Sequence, residues 1–506
     1  MTSRIRAGLL LLALSLAACA PQQKPLPQPT AETARKGPAT VATRSRSQQR
    51  LGDENHQKII AKYGGVYDNP RLSAYINALG EDLAAVSEQP GEKWTFTVLD
   101  NSTINAFALP GGYVYVTRGL VALANSEAEL AGVIGHEIGH VTAGHSALRQ
   151  NRGAIATGAV LGAQILGAVL GANPETLRGL GQLSQAVAGG FLANYSRDDE
   201  LAADNLGIRY LARAGYDPYA QADFLESMGE AARLAARAAG KRYDPNQTDF
   251  FASHPATGPR TRRAIEIARQ SGVNIPLGAN RDRPSYLRAV DGVLYGDNPE
   301  QGFVRGRDFL HPTLRFAYRS PAGFRIANTP RAVIASNKSG ARFVLDSGRN
   351  SGGPLTSYIS REWIAQISKE YRTGQVSRPR AERINGLGAA SATAKVQVNN
   401  RVYDMLLVAI RLNGKLYRLT GLSPEGARLI PQMREAARTF RSLSAAEARG
   451  LSARRVDIAT VRRGDTVASF ARRMNVENFP EDRFRVLNGL EPGEALSTGQ
   501  KVKLVR

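Results

Sequence analysis

The chain has 506 residues, 42% hydrophobic and 22% charged, a balance that excludes wholesale disorder and any fibrous repeat and leaves room for about three domains. Its 66 Lys and Arg against 44 Asp and Glu give a formal charge of +22, which favours anionic partners without choosing among nucleic acid, lipid and acidic polymer. One cysteine, Cys19, excludes an intramolecular disulfide and any Cys-rich zinc module.

Arg4 and Arg6 precede an apolar run, Ala7–Leu16, too short to span a bilayer, where about 20 residues are needed. The following Leu16-Ala17-Ala18-Cys19 resembles a bacterial lipobox. The resemblance implies a signal peptide over residues 1–18, cleavage before Cys19 and a lipid on its sulfur; the alternative is an ordinary signal peptide with a chance cysteine. Ala20, where an Asp would favour retention at the inner membrane, leans toward the periplasmic face of the outer membrane. Residues 19–52 read as a flexible tether, since Pro21 to about Gln49 offers almost no large apolar side chain.

A first folded block is expected over residues 53–280. Helical patterns at Asn55–Tyr63 and Asn69–Ser87 precede Trp94-Thr-Phe-Thr-Val98, which alternates as a half-buried strand does. Asn105 to Thr117 reads as a strand, a Pro-Gly-Gly turn and a second strand. An edge there suits pairing with an extended peptide, which makes Asn105, Val114 and Val116 candidate substrate-binding residues. Ser126 to Glu129 then reads as a capping box opening a helix that contains His136-Glu137-Ile138-Gly139-His140. At about 100° per residue, His140 lies about 40° from His136, one turn on, so both imidazoles leave one face and can hold one zinc ion. Glu137 lies about 100° away, beside the metal, where it suits a general base. His145 lies about 180° round and reads as structural.

Catalytic zinc takes three protein ligands plus one open position. A helix starting at Ser196 and ending near Gly215 offers Glu200 as the third ligand, with Asp204 one turn on as partner for a ligand imidazole. Taken alone, these acids would only favour a helix N-terminus. Gly153–Asn173 is uncharged, with two GxxxG spacings, and reads as an apolar helical hairpin near the site rather than a membrane span.

The HEIGH motif with Val141 and His145, the upstream Asn105-Ala-Phe…Pro-Gly-Gly…Val-Thr-Arg-Gly-Leu120, the Glu200-Leu-Ala-Ala-Asp204 helix and Gly215-Tyr-Asp-Pro218 together resemble metallopeptidase family 48. This is the group of the CAAX prenyl protease, HtpX and the periplasmic BepA-like enzymes. The resemblance implies a gluzincin-type fold with one zinc per chain on His136, His140 and Glu200, and Glu137 as base. It also brings in His254 of the Ser-His-Pro step, as a fourth ligand at rest, an oxyanion donor or a plain loop histidine. Tyr195 and Arg197 are further candidate oxyanion donors. The BepA-like members point to quality control of outer-membrane proteins, with polypeptides as substrates.

Residues 283–446 change character: strands at Phe316–Tyr318, Phe324–Ile326, Ala341–Leu345, Val396–Val398, Tyr403–Leu412 and Leu416–Thr420, then a helix at Pro431–Arg441. This accessory α+β block shows no catalytic constellation, and His311 within it reads as a packing or capping residue. Residues 454–506 run strand, Gly464-Asp-Thr turn, two helices, Gly499-Gln turn, strand. That order resembles a small βααβ LysM domain, which implies peptidoglycan as a partner; the connector Val476–Arg483 departs from the usual pattern. Contributing no ligand, the block is expected to be dispensable for cleavage.

The overall expectation is a multidomain α+β zinc endopeptidase of the periplasm, anchored in the membrane by the lipid on Cys19, with no nucleic-acid partner. The rival readings are a peptidoglycan-tethered chaperone with a latent site and a zinc cell-wall amidase.

Overall fold

The computed structural model describes residues 45–145, 195–238, 240, 242–243, 254, 257–271, 281–349, 351–398 and 401–506, all within one compact unit, Ala42–Arg506. Cys19 with its lipobox, the tether up to residue 44 and Gly153–Asn173 lie outside the described residues.

Helix α1 (Arg46–Lys62) begins inside the stretch expected to be tether, opened by a capping box between Ser45 and Gln48. The reason is packing. Ile59 and Tyr63 bury against Leu99, Phe107, Leu109 and Tyr115, and Gly52 admits the Pro110–Tyr113 turn so closely that a Cβ there would stand 2.4 Å from the Pro110 carbonyl oxygen. Helix α2 (Pro70–Ala85) follows, with the Asn69 side chain accepting the Leu72 N–H and proline in its first turn.

Strands β1 (Thr95–Leu99), β2 (Ala106–Leu109) and β3 (Tyr113–Thr117) form a sheet in the order β1-β3-β2. Gly111 and Gly112, both at positive φ, make the β2–β3 turn. Strand β3 pairs parallel with β1 and antiparallel with β2. This corrects the expectation for Val114 and Val116: the strand that carries them is central, its backbone is engaged on both sides, and both side chains are buried in the main core. The edge strands are β1 and β2, the latter preceded by Asn105.

The helices α3 (Arg118–Leu123), α4 (Glu127–Thr142), α5 (Arg197–Arg213), α6 (Ala220–Ala238), α7 (Thr257–Gln270) and α8 (Arg283–Val290) complete this part. Leu130, Ile134 and Ile138 of α4 meet Ile208 and Leu211 of α5 and Phe224 of α6 in one core with α2 and the sheet. Among the described residues no helix is long and apolar enough to cross a membrane.

The next strands are β4 (Phe303–Arg305), β5 (Asp308–His311), β6 (Phe316–Arg319), β7 (Arg325–Asn328), β8 (Val333–Ser336), β9 (Arg342–Gly348), β10 (Arg372–Val376), β11 (Arg380–Ile384), β12 (Leu387–Val398), β13 (Arg401–Leu412), β14 (Lys415–Pro424) and β15 (Arg441–Ser442). A large sheet runs β10-β12-β13-β14-β9-β8-β7 with β11 also on β12, and a smaller one runs β15-β6-β5-β4. Helical turns bring Ile359, Trp363 and Ile367 onto one face; helix α9 (Ile430–Arg438) brings Met433, and Phe440 follows it, onto the other. His311 is buried beside Phe309 and Phe316, and its Nδ1 accepts the Leu314 N–H at 3.2 Å.

The last block runs β16 (Val456–Thr460), α10 (Val467–Ala471), α11 (Pro480–Asn488) and β17 (Lys501–Val505), with β16 antiparallel to β17. It does not stand apart. The Val456 N–H donates to the Val293 carbonyl and the Gly292 N–H to the Val456 carbonyl, each at 2.8 Å. Val456 belongs to the main core. Lys503 is wholly buried, its Nζ donating to the carbonyls of Ala122, Leu123 and Ala124 at the end of α3. The expected dispensability of this block therefore has a structural argument against it.

Candidate metal centre

Helix α4 opens at Ser126, whose hydroxyl accepts the Glu129 N–H at 3.2 Å. The expected reciprocal bond is displaced by one residue: the Glu129 carboxylate accepts the Asn125 N–H at 2.9 Å. That carboxylate is buried, and burial pushes its pKa up to about 7. With Leu130, Ile134, Ile138 and Val141 turned into the core, His136 and His140 leave the same side of the helix, their Nε2 atoms 3.0 Å apart.

Helix α5 crosses α4 at close range. A Cβ on Gly207 would lie 2.9 Å from the His136 backbone nitrogen and 3.1 Å from its Cα, and one on Gly139 would lie 3.2 Å from the Ala203 carbonyl oxygen. These small residues set the spacing at which Glu200 meets the imidazoles. Its start is fixed by the capping box expected there: the Ser196 hydroxyl accepts the Asp199 N–H, and the Asp199 carboxylate accepts the Ser196 N–H, each at 3.1 Å.

Glu200 Oε1 lies 3.4 Å from His140 Nε2, and Oε2 lies 3.6 Å from His136 Nε2. His254 Nδ1 lies 2.9 Å from Glu200 Oε1 and 3.4 Å from His136 Nε2. One donor atom from each of His136, His140, Glu200 and His254 falls within 4.8 Å of every other, and all four residues are buried. Asp204 Oδ1 lies 2.9 Å from His136 Nδ1, on the far side of that ring. Glu137 is fully buried and its Oε1 lies 3.4 Å from His254 Nε2.

Burial pushes the His140 imidazole well below its ordinary pKa and keeps it neutral, as a metal ligand must be. Burial also raises Glu137, against the opposing pull of His254 and His136. Burial alone would raise Glu200, but His254 and Arg260 outweigh it and hold the carboxylate well below its usual range. Burial works against a charge on His254, yet Glu200 and Glu137 raise it overall.

Arg260 escaped the sequence reading. It projects from α7, fully desolvated, with Nε 2.8 Å and Nη2 2.7 Å from the two Asp204 oxygens and Nη1 2.8 Å from Glu200 Oε2. Helix α7 also carries Arg262, Arg263 and Arg269, and no local feature of the sequence singles out one arginine among them. The arrangement also tests the metal. Three buried carboxylates, Glu137, Glu200 and Asp204, face one guanidinium. Burial favours the neutral form of Glu137, and Glu200 and Glu137 favour a charge on His254, yet carboxylates gathered out of water are costly without cations beside them, and a divalent cation at the four-donor cluster offsets that cost. Imidazole nitrogens with one carboxylate oxygen are the donors that zinc takes in catalytic sites. The residues fit the ion.

His145 comes closer than helical geometry suggests. The chain leaves α4 at Ala143, and Gly144 turns it at φ +70°. The His145 ring returns with Nδ1 2.9 Å from His140 Nδ1. Tyr195 is buried and stacks on the His140 ring at 3.5 Å, whereas Arg197 is exposed.

Residues 70–268 match peptidase family M48. The chain is 32% identical over 262 residues to the beta-barrel assembly-enhancing protease of Yersinia pestis, covering 51% of each protein. It is 35% identical over 175 residues to the Escherichia coli K12 protein of the same name, covering 34% of this chain and 35% of that one. It is 29% identical over 222 residues to the mitochondrial metalloendopeptidase OMA1 of Schizosaccharomyces pombe, covering 43% of this chain and 60% of the relative. The chain thus spans about half the length of the curated relatives it matches.

Proposed function

We propose, from the match of residues 70–268 to peptidase family M48, that this chain is a zinc metalloendopeptidase of the bacterial envelope that cleaves unfolded or misassembled outer-membrane proteins. The observation that carries the reading is the convergence of His136, His140, Glu200 and His254 donors beside the buried Glu137. The substrate class is supported by the names of the bacterial relatives. A lipid on Cys19, supported by the Leu16-Ala17-Ala18-Cys19 run, holds the chain at the periplasmic face of the outer membrane. We assign residues 53–280 to a gluzincin-type peptidase domain and 283–446 to an accessory domain whose first helix, α8, packs into the peptidase core. Residues 454–506 form a LysM-like block that engages peptidoglycan, a reading supported by its βααβ order.

His136, His140 and Glu200 hold the zinc, and Asp204 orients His136 through Nδ1. Zinc, when bound, supplies Lewis acidity toward water and the scissile carbonyl. Glu137 takes the proton of the attacking water on Oε1 and passes it to the leaving amine, a task that suits a carboxylate whose pKa burial has raised. His254, bridging Glu200 and Glu137, completes the donor set at rest or donates to the carbonyl oxygen during reaction. The edge of β2 accepts the substrate as an added strand, a nearly sequence-blind mode that suits unfolded chains. The test is Glu137→Gln: zinc content and fold unchanged, casein cleavage down by about 10²–10⁴-fold. Turnover equal to wild type refutes the assignment.

A further inference from the structure

A metal-binding imidazole is fixed in tautomer and ring plane by whatever its second nitrogen meets. For His136 that is Asp204, 2.9 Å from Nδ1. His140 Nδ1 meets a second imidazole, His145 Nδ1, at 2.9 Å. Two ring nitrogens at that distance share one proton: one donates and the other accepts. His140 Nε2 points into the donor cluster, 3.4 Å from Glu200 Oε1, so its lone pair belongs there and its proton sits on Nδ1. His145 Nδ1 must then accept, which leaves the His145 proton on Nε2. That nitrogen faces Asp199 Oδ1 at 3.6 Å, an electrostatic contact longer than a full hydrogen bond. The other Asp199 oxygen takes the Ser196 N–H in the capping box of α5.

We propose that His145, backed by Asp199, is the positioning residue for His140. It holds the ring in the Nδ1–H tautomer and in the plane that aims Nε2 at the metal. The proposal rests on the metallopeptidase reading above. The left-handed turn at Gly144 serves this contact, since a continuing helix would carry His145 to the opposite side. Tyr195 stacks 13° from parallel on one face of the same ring. The relay also joins the two helices that supply the ligands, because Asp199 opens the helix that carries Glu200.

The experiment compares two variants of similar side-chain size in the full-length protein. His145→Asn keeps an acceptor oxygen at the position of Nδ1, and His145→Leu removes it. Zinc dissociation constants are read by competition with a chromophoric chelator, and thermal unfolding of the metal-stripped proteins is followed in parallel. The expected result is a zinc Kd raised about 10–100-fold in His145→Leu and within about threefold of wild type in His145→Asn. Comparing two variants of one site keeps a shared folding defect from counting. Equal zinc affinity in the two variants, whether both tight or both weak, overturns the relay while leaving the metallopeptidase reading intact. A wild-type protein that takes up no zinc overturns both.

Discussion

Replacing Lys503 with methionine tests whether the last strand belongs to the platform that carries the metal ligands. The Lys503 side chain is 0% exposed. Its ammonium reaches the Ala122 and Leu123 carbonyls at 3.0 Å each and the Ala124 carbonyl beside them. These oxygens sit at the C-terminal end of α3, where carbonyls lack intrahelical donors and the dipole is negative. Asn125 and Ser126 follow directly and open α4. Burial and Arg283 push the Lys503 amine well below its ordinary pKa, against the opposing pull of Glu129. Methionine fills most of the volume but donates nothing. Methionine leaves these carbonyls without their donor, and an orphaned buried acceptor costs about 1–3 kcal/mol. The expected loss is about 1–3 kcal/mol, a sizeable share of a stability that runs to about 5–15 kcal/mol in typical domains. The assay is urea unfolding of the full-length variant, with zinc per chain measured alongside, and cleavage measured for a chain lacking residues 456–505. Lower stability in the variant and lost cleavage in the truncation are expected. A change under about 1 kcal/mol, with cleavage intact after truncation, would refute the argument and make the block an appendage.

Gly207→Ala should cost about 1–3 kcal/mol and weaken zinc binding, because its Cβ meets the His136 backbone at 2.9 Å; wild-type zinc affinity in this variant would show that the helix crossing does not set the ligands. Arg260→Met should destabilise the metal-stripped protein by about 3–5 kcal/mol, and zinc should recover part of this by taking over the charge of Glu200; an equal loss with and without zinc contradicts the charge balance. His311 is pushed down to about 4 by burial, so the unfolded state, with the ordinary histidine pKa, binds the proton first as pH falls. Stability contributed by neutral His311 is present above about pH 6.5 and is lost toward pH 4, by at most about 3 kcal/mol. His311→Gln, followed by urea midpoints at pH 7 and 4.5, should flatten that slope; a slope as steep as wild type assigns it to another group.

What was legible in the sequence was local. His136, Glu137 and His140 declare themselves because one turn of helix decides their geometry, and Glu200 and Asp204 do so because the capping box places their helix start. Pairing partners are not local. Nothing in Tyr113–Thr117 says that it is central rather than an edge, and the reading of Val114 and Val116 failed there. Strand β12 is rich in alanine, which carries little strand preference by itself; only its last residues, Val396–Val398, carry a strand pattern in the sequence. It persists because β13 pairs it along its length and apolar contacts close over it. Gly207 and His145 matter through contacts with α4, and Arg260 through contacts with α5; these join separate elements or follow a turn out of the helix, so helical periodicity could not expose them.

Charge was the most misleading quantity. A chain at +22 suggests a protein whose electrostatics are those of its surface arginines. Around the HEIGH helix the sign reverses: Glu137, Glu200 and Asp204 are buried against one Arg260. Desolvation makes that reversal consequential, because charges withdrawn from water interact far more strongly than exposed ones screened by salt. The exposed cations set what the protein approaches. The buried carboxylates favour a cation at the cluster, and the imidazoles beside them favour one that takes nitrogen donors. A divalent ion with a preference for imidazole satisfies both the charge and the donors, which is why side chains that look costly in isolation form a coherent site.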